Sequence, residues 1–172
     1  MKLVAQLDVR LNSSIGRVEE RLRLYRLARI LSFSGDGYLY ALMGCVAVAG
    51  AGPLGVAFTR TAVLAFLVEV PLYFVLKRTF RRRRPYLIVP GYPRIHEPSD
   101  EFSFPSGHTA AAFLVAYLVY VFFPSLALPM YLWAVAIGLS RVVLRVHFVS
   151  DIFAGALLGT GLAMGAVWLG WG

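Results

Sequence analysis

Three polar segments interrupt an otherwise greasy chain, and they hold most of its chemically useful side chains. The first reads Lys77-Arg78-Thr79-Phe80-Arg81-Arg82-Arg83-Arg84-Pro85, the second Pro105-Ser106-Gly107-His108, and the third runs from Ser140 to Asp151 as SRVVLRVHFVSD. Cations, two histidines and one carboxylate are costly to keep among apolar neighbours. Cations hold anions, and imidazole can give a proton or attack. The three segments are read together as one phosphate-handling site.

Taken singly, each segment has an ordinary alternative. Lys77 and Arg84 are seven residues apart, so on one helix they share a face and offer phosphate a compact charge and a planar fork. Pro85 is expected to end that helix. The alternative is a basic cluster flanking a membrane and touching lipid head groups, the preferred reading for Arg78, Arg81, Arg82 and Arg83. Pro105-Ser106-Gly107 would open a helix, whose first N–H groups form an anion site that Gly107 lets a phosphate approach. His108 would stand in the first turn, placed to protonate a leaving oxygen. The alternative is a capped helix start with an interfacial histidine.

The third segment says most. Arg141 and His147 are six apart and would point away from each other on one continuous helix, so the helix is expected to end near Arg145 or Val146. His147 then falls in a turn, and Ser150 is expected to cap the next helix. Asp151 would accept a hydrogen bond from His147, fixing its tautomer and leaving the other nitrogen to attack. The alternative is a His–Asp pair that merely ties two helices together.

The elements that must position these residues are membrane helices. The chain has 172 residues, 59% of them hydrophobic and only 15% charged, with a formal charge of +8. Its mean hydropathy is +0.69. A soluble domain is far less apolar. The basic excess does not point to nucleic acid, because the cations lie between apolar runs of membrane length. The single cysteine, Cys45, has no partner for an intrachain disulfide. Residues Met1 to Asn12 lack the unbroken apolar core of a cleavable signal peptide.

An all-α fold is expected: an integral membrane helical bundle of about five transmembrane helices plus an N-terminal amphipathic interfacial helix. Residues 1–37 form that N-terminal segment. Within it Val18–Leu31 is helical in pattern, with Leu24, Leu27 and Leu31 on one face. Ser34-Gly35-Asp36-Gly37 reads as a turn. Residues 38–172 form the bundle, with an active-site loop over 85–105. The spans run from about Tyr38 to Phe58, Thr61 to Leu76, Thr109 to Phe123, Met130 to Leu144 and Ile152 to Trp171. The short second and fourth are expected to continue into the polar segments. Gly155 with Gly159, and Gly161 with Gly165, suit close helix packing. Five alternating spans bring all three polar segments to one membrane face, which randomly placed loops would not do.

Lys-x6-Arg-Pro, Pro-Ser-Gly-His and Ser-Arg-x5-His-x3-Asp, in this order, resemble the type 2 phosphatidic acid phosphatase superfamily. That superfamily also holds vanadium haloperoxidases and bacterial acid phosphatases. The resemblance covers residues 77–151 and, through the bundle, most of the chain. It implies His147 as the nucleophile that forms a phosphohistidine, Asp151 as the group that orients it, and His108 as general acid. It implies Lys77, Arg84, Ser106, Gly107 and Arg141 as the phosphate-binding set. It implies no metal and no cofactor, and the sequence shows no convincing metal cluster. The chain is short beside six-span members.

The resemblance further implies a membrane lipid phosphate or diphosphate as substrate, met at the bilayer. Undecaprenyl diphosphate ranks first, then phosphatidylglycerophosphate or phosphatidic acid. Two other readings remain open: a lipid phosphotransferase using the same intermediate, and a non-enzymatic lipid-binding or transport protein. A haloperoxidase is disfavoured by the membrane-embedded bundle. The expected location is a bacterial cytoplasmic membrane. Family habit puts the site on the outer face, whereas the clustering of Lys and Arg on the site face argues for the cytoplasm. Three further positions carry open alternatives. Glu69 lies within a span as a functional candidate or an internal hydrogen-bonding group. Arg145 would line the pocket or pair with Asp151. His96, Glu97, Asp100 and Glu101 lie in a loop that roofs the site or is simply solvated.

Overall fold

A computed structural model describes residues 8–9, 22–89, 98 and 100–170. Among them the chain is helical, without strands. The main helices are α1 (Leu22–Ser34), α2 (Gly37–Gly50), α3 (Gly52–Phe80), α4 (Gly107–Phe122), α5 (Ala127–Val143) and α6 (Val149–Trp168). Single turns at Pro85–Ile88 and Pro124–Leu126 complete them. The expected helix over Val18–Leu31 is therefore described only from Leu22, and the loop residues His96 and Glu97 lie outside the described residues.

Helix α4 takes the centre because it has no polar side to show. Ala110, Ala112, Leu114, Ala116 and Leu118 are all fully buried. Leu114, Val115, Leu118 and Val119 pack with Phe58 and Ala65 of α3 and with Ala163 and Ala166 of α6. Ala112 and Ala116 pack with Ala134 and Ile137 of α5. The outer helices turn large apolar side chains outward, among them Leu67, Val75, Leu128, Leu157 and Trp168. So much exposed apolar surface fits lipid, not water.

Small residues let backbones meet. A Cβ on Gly159 would lie 2.0 Å from the Ala110 carbonyl oxygen, and one on Gly155 would lie 2.5 Å from that of Ser106. This pair packs α6 against α4 as its spacing suggested. Gly161 and Gly165 have open space where a Cβ would go, so the second pair packs against nothing within reach. Gly55 closes the α2–α3 hairpin, where a Cβ would collide with the Ala47 carbonyl.

The expected five apolar segments all appear as helices, with two boundaries moved. The first was expected to reach Phe58 but ends at Gly50, and the next begins at Gly52 and runs 29 residues to Phe80. The reason is Gly50-Ala51-Gly52-Pro53. Gly52 adopts a positive φ of 55°, and a proline suits the first turn of the helix that follows. Arg60, which falls in the gap between the first two expected spans, is an exposed residue inside α3. As expected, α3 carries Lys77 and α5 carries Arg141.

Among the described residues, three stretches are long and apolar enough to cross a membrane alone: Gly52–Ile88, Pro124–Val143 and Val149–Trp168. Helices α1 and α2 pass the same test only together, as a pair bent by 50°. Helix α4 is shorter, at 16 residues. The inner side of α1 packs through Ala28 against Leu144 and Val146. Its outer side exposes Leu27, Ile30 and Phe33 beside Arg26 and Arg29, a mixture suited to lipid tails and head groups. The chain is an α-helical membrane protein.

Candidate active site

The C-terminal end of α3, the N-terminal ends of α4 and α6 and the C-terminal end of α5 lie together, and the three polar segments meet there. Arg84 is fully buried and bridges two of the chain's loops. Its Nη1 donates to the Val146 carbonyl at 2.7 Å, and its Nη2 donates to the Asp100 carboxylate at 2.5 Å. The Ser106 N–H donates to the Asp151 carbonyl at 3.1 Å, so the second and third segments join through backbone.

Lys77 and Arg84 do converge, but not by sharing a helical face. Helix α3 ends at Phe80, before Pro85, because Arg81 takes a left-handed conformation with φ 44° and its N–H caps the Lys77 carbonyl. Residues 81–84 then form no helix and carry Arg84 back toward the site. Asp100 joins the two cations. Its Oδ1 accepts from both Lys77 and Arg84, and its Oδ2 accepts from the Tyr73 hydroxyl at 2.7 Å. Burial alone would raise the Asp100 carboxyl, but the hydrogen bonds from Lys77 and Tyr73 and the charges of Lys77 and Arg84 outweigh it. The group is held below the usual carboxylate value. A carboxylate thus rests on the cations expected to take a phosphate.

Tyr73 was not singled out from sequence, although it precedes Lys77 by one helical turn. The Lys77 ammonium sits 4.7 Å from the Tyr73 ring centroid. The same ring explains Gly107, where a Cβ would fall 2.7 Å from it. In the structure this glycine admits an aromatic ring, a different use from the phosphate approach expected of it. Ser106 occupies the N-cap position of α4 without a side-chain cap, and its hydroxyl accepts from Thr109 at 2.9 Å.

The turn after α5 places His147. Helix α5 stops at Val143, close to the expected end, and Arg145 turns the chain with φ 60°. The Val146 and His147 N–H groups both reach back to the Arg141 carbonyl, at 3.2 and 3.3 Å. His147 is almost wholly buried. Burial holds its imidazole well below the usual histidine value, and the charges of Arg141, Arg84 and Lys77, with His108, push the same way.

The expected hydrogen bond from His147 to Asp151 is stretched. The separation from Nδ1 to Oδ2 is 3.6 Å, beyond hydrogen-bond length. That oxygen instead accepts the Phe148 N–H at 2.8 Å, so Asp151 caps α6 in the role expected of Ser150. Its Oδ1 accepts from Arg82 at 2.7 Å. Arg82 also holds Asp8 at 2.6 Å and the Ser150 hydroxyl at 2.6 Å. Sequence reasoning assigned Arg82 to lipid head groups. Nothing in a run of four arginines marks which one turns inward.

Arg141 is buried, donates to the Ser32 hydroxyl through Nη1, and has no partner for Nε among the described residues. Such an idle guanidinium donor suits an anion that arrives later. His108 makes its hydrogen bond to Asp36, 2.8 Å from Nε2 to Oδ1. Arg145 is buried with its guanidinium 5.9 Å from the Tyr25 ring centroid. Glu69 is buried on α3. Among the described residues, no three His, Cys, Asp or Glu side chains group as metal ligands.

Clustered cations and two histidines thus lie together at one end of a bundle of apolar helices. Comparison with known proteins gives the family. The PAP2 superfamily model matches residues 51–172, and the chain belongs to that superfamily. It is 36% identical over 133 residues to phosphatidylglycerophosphatase B of Bacillus subtilis, with 69% of this chain and 62% of that protein covered. It is 32% identical over 107 residues to the bacitracin transport permease protein BcrC of Bacillus licheniformis, covering 62% and 53%. The chain thus spans a little over half the length of these two relatives. Among solved structures, it superposes on Aquifex aeolicus LpxE with a TM-score of 0.81 and 26% identity, covering 94% of this chain and 95% of that one. The PAP2-type phosphatidylglycerolphosphate phosphatase of Bacillus subtilis gives 0.77 and 25%, covering 99% and 87%.

Proposed function

We propose that this protein is a metal-independent lipid phosphate phosphatase that works through a phosphohistidine. The observation that carries the reading is the convergence of Lys77, Arg84 and Arg141 around a buried, neutral His147. Phosphate oxygens would take hydrogen bonds from those cations, with Ser106 and Gly107 at the head of α4. A His147 ring nitrogen attacks phosphorus as the bond to the leaving oxygen breaks. His108 hands that oxygen a proton. Water then attacks the phosphohistidine and gives a proton to the now neutral His108, releasing phosphate and freeing His147. Asp151, fixed by Arg82 and the Phe148 N–H, stabilises the imidazole as it gains charge.

An apolar groove of about 980 Å³ between α2 and α3 favours a lipid substrate. Its lining includes Gly37, next to Asp36, and Pro71, six residues before Lys77 on α3, as well as Val48 and Phe58. A hydrocarbon chain would lie there while its phosphate reaches the cations. Undecaprenyl diphosphate is the first candidate, then phosphatidylglycerophosphate and phosphatidic acid. The relatives named for phosphatidylglycerophosphate, and the undecaprenyl-diphosphatase of Sulfolobus acidocaldarius at 33% identity over 107 residues, support that range.

The test is phosphate release from these lipids by detergent-purified protein in the presence of chelator, with His147→Ala alongside. Release that survives chelator and vanishes in the variant is expected. Release by His147→Ala at the wild-type rate would sink the mechanism. The site is assigned to the outer face on family grounds. Arg83→Cys in a Cys45→Ala background should then react with an impermeant thiol reagent in intact cells. Labelling only after permeabilisation would place the site in the cytoplasm, as the charge pattern argues.

A further inference from the structure

Asp36 sits at the N-cap of α2, where an aspartate ordinarily accepts N–H groups of the first turn. Here it makes no side-chain cap. Its carboxylate turns away to the opposite element and accepts from His108 Nε2 at 2.8 Å. The turn that carries it is held at several points. Ser32 takes the Arg141 guanidinium, Ser34 takes the Trp133 indole N–H at 2.9 Å, and a Cβ on Gly35 would lie 3.0 Å from Ile137. The Asp36 and Gly35 N–H groups close the turn on Phe33 and Ser32, both at 3.0 Å.

This turn breaks the bent α1–α2 pair, a place where a carboxylate is costly without a use. It also precedes residues 51–172, the part matched to the family. A capping role would explain an aspartate here, but the side chain forgoes it. A surface ion pair would add little stability, since Asp36 is about one-third exposed and His108 one-quarter. What the contact does fix is the direction of the imidazole.

We propose that Asp36 is a positioning residue for proton transfer: it anchors His108 through Nε2 and so directs Nδ1 at the leaving oxygen. This rests on the reading of His108 as general acid. As the phosphorus–oxygen bond breaks, the electron pair stays on oxygen and the His108 proton neutralises it. A leaving group that is stable as an anion needs no such proton, and that difference separates positioning from mere structure.

The experiment compares kcat/KM for hexadecyl phosphate, a poor leaving group, with p-nitrophenyl phosphate, a good one. The proteins are wild type, Asp36→Asn, Asp36→Glu, His108→Ala and the Asp36→Asn/His108→Ala double variant. Asp36→Asn should lose about 10- to 100-fold on the alkyl ester, part of a general acid's worth, and under about threefold on the aryl ester. Asp36→Glu should recover part of the loss. His108→Ala should show the same selectivity more strongly, and the double variant should match it. If His108→Ala hits both esters equally, the general-acid reading fails and the proposal with it. If His108→Ala discriminates but Asp36→Asn leaves both esters intact or lowers both alike, only the Asp36 proposal fails. An additional loss in the double variant beyond His108→Ala would also overturn it.

Discussion

The two histidines of the site stand in opposite surroundings. His147 is buried beneath arginines and a lysine and is kept neutral. His108 is partly open and hydrogen-bonded to a carboxylate. A nucleophile must present a lone pair, and cations that bind phosphate also stop a nearby imidazole from taking a proton. An acid must hold a proton and aim it, which an anionic partner assists. In the proposed reaction one residue type would serve both ends because the fold gives each copy different neighbours, the general pattern by which environments divide acid and base roles.

The largest effect should come from breaking that division at His147. His147→Ala should lose at least about 10³-fold in kcat/KM on every substrate, because bond formation itself is lost. His108→Ala should instead lose activity in proportion to how poor the leaving group is. Equal losses on all substrates for both variants would mean that the two histidines act as one unit with no division of roles.

A pH series sharpens the same contrast. An unfolded chain protonates this histidine near pH 6.5, whereas the folded protein keeps it neutral to well below that value. Between those two pH values the unfolded state binds more protons. The stability linked to His147 is therefore full above about pH 6.5 and is lost as pH falls toward the folded value. Thermal melts of wild type should drop between pH 7 and pH 5.5, and His147→Gln should drop less. Equal slopes for the two proteins would show that His147 is not the group held neutral.

How far these roles could be read from sequence depends on the range of each contact. That Lys77, Arg84, Ser106, Gly107, His108, Arg141, His147 and Asp151 would come together was legible because they lie at or near helix ends, where spacing and capping chemistry are local. The end of α5 near Arg145 followed from the same logic. The break at Gly50-Ala51-Gly52-Pro53 was missed because the expected spans were parted around Arg60, which the outer wall of α3 in fact carries exposed. Asp36, Ser32 and Asp8 were illegible as neighbours of the site, and Asp100 was placed only in a loop that roofs it or is solvated. Their partners lie across loops or on helices distant in sequence, and no local pattern says which carboxylate will reach which cation.

Asp100 offers a smaller test of the cation side. Its carboxylate occupies Lys77 and Arg84, so an incoming phosphate must share or displace it. Asp100→Asn should remove that rival charge and tighten competitive inhibition by inorganic phosphate by about threefold to tenfold, up to roughly 1.4 kcal/mol. Weaker inhibition would mean that Asp100 instead holds the two cations in the posture phosphate needs.

The smallest expected effect sits beside one of the subtler positions. Arg82 and Arg83 are neighbours in a run that looks uniform, yet Arg82 is tied to Asp151, Asp8 and Ser150 while the Arg83 side chain is exposed. Removing Arg82 leaves the fully buried Asp151 without its cation, and such losses exceed those of surface pairs. Arg82→Ala should therefore lower both melting temperature and kcat, the latter by about tenfold, through the carboxylate proposed to stabilise the His147 imidazole as it gains charge. Arg83→Ala should stay within about 0.5 kcal/mol of wild type in stability. Its carbonyl, which accepts from the Ser103 hydroxyl at 3.3 Å, is untouched by the substitution. Matching losses in the two variants would show the run acting as a diffuse positive patch, with no special place for the arginine that turns inward.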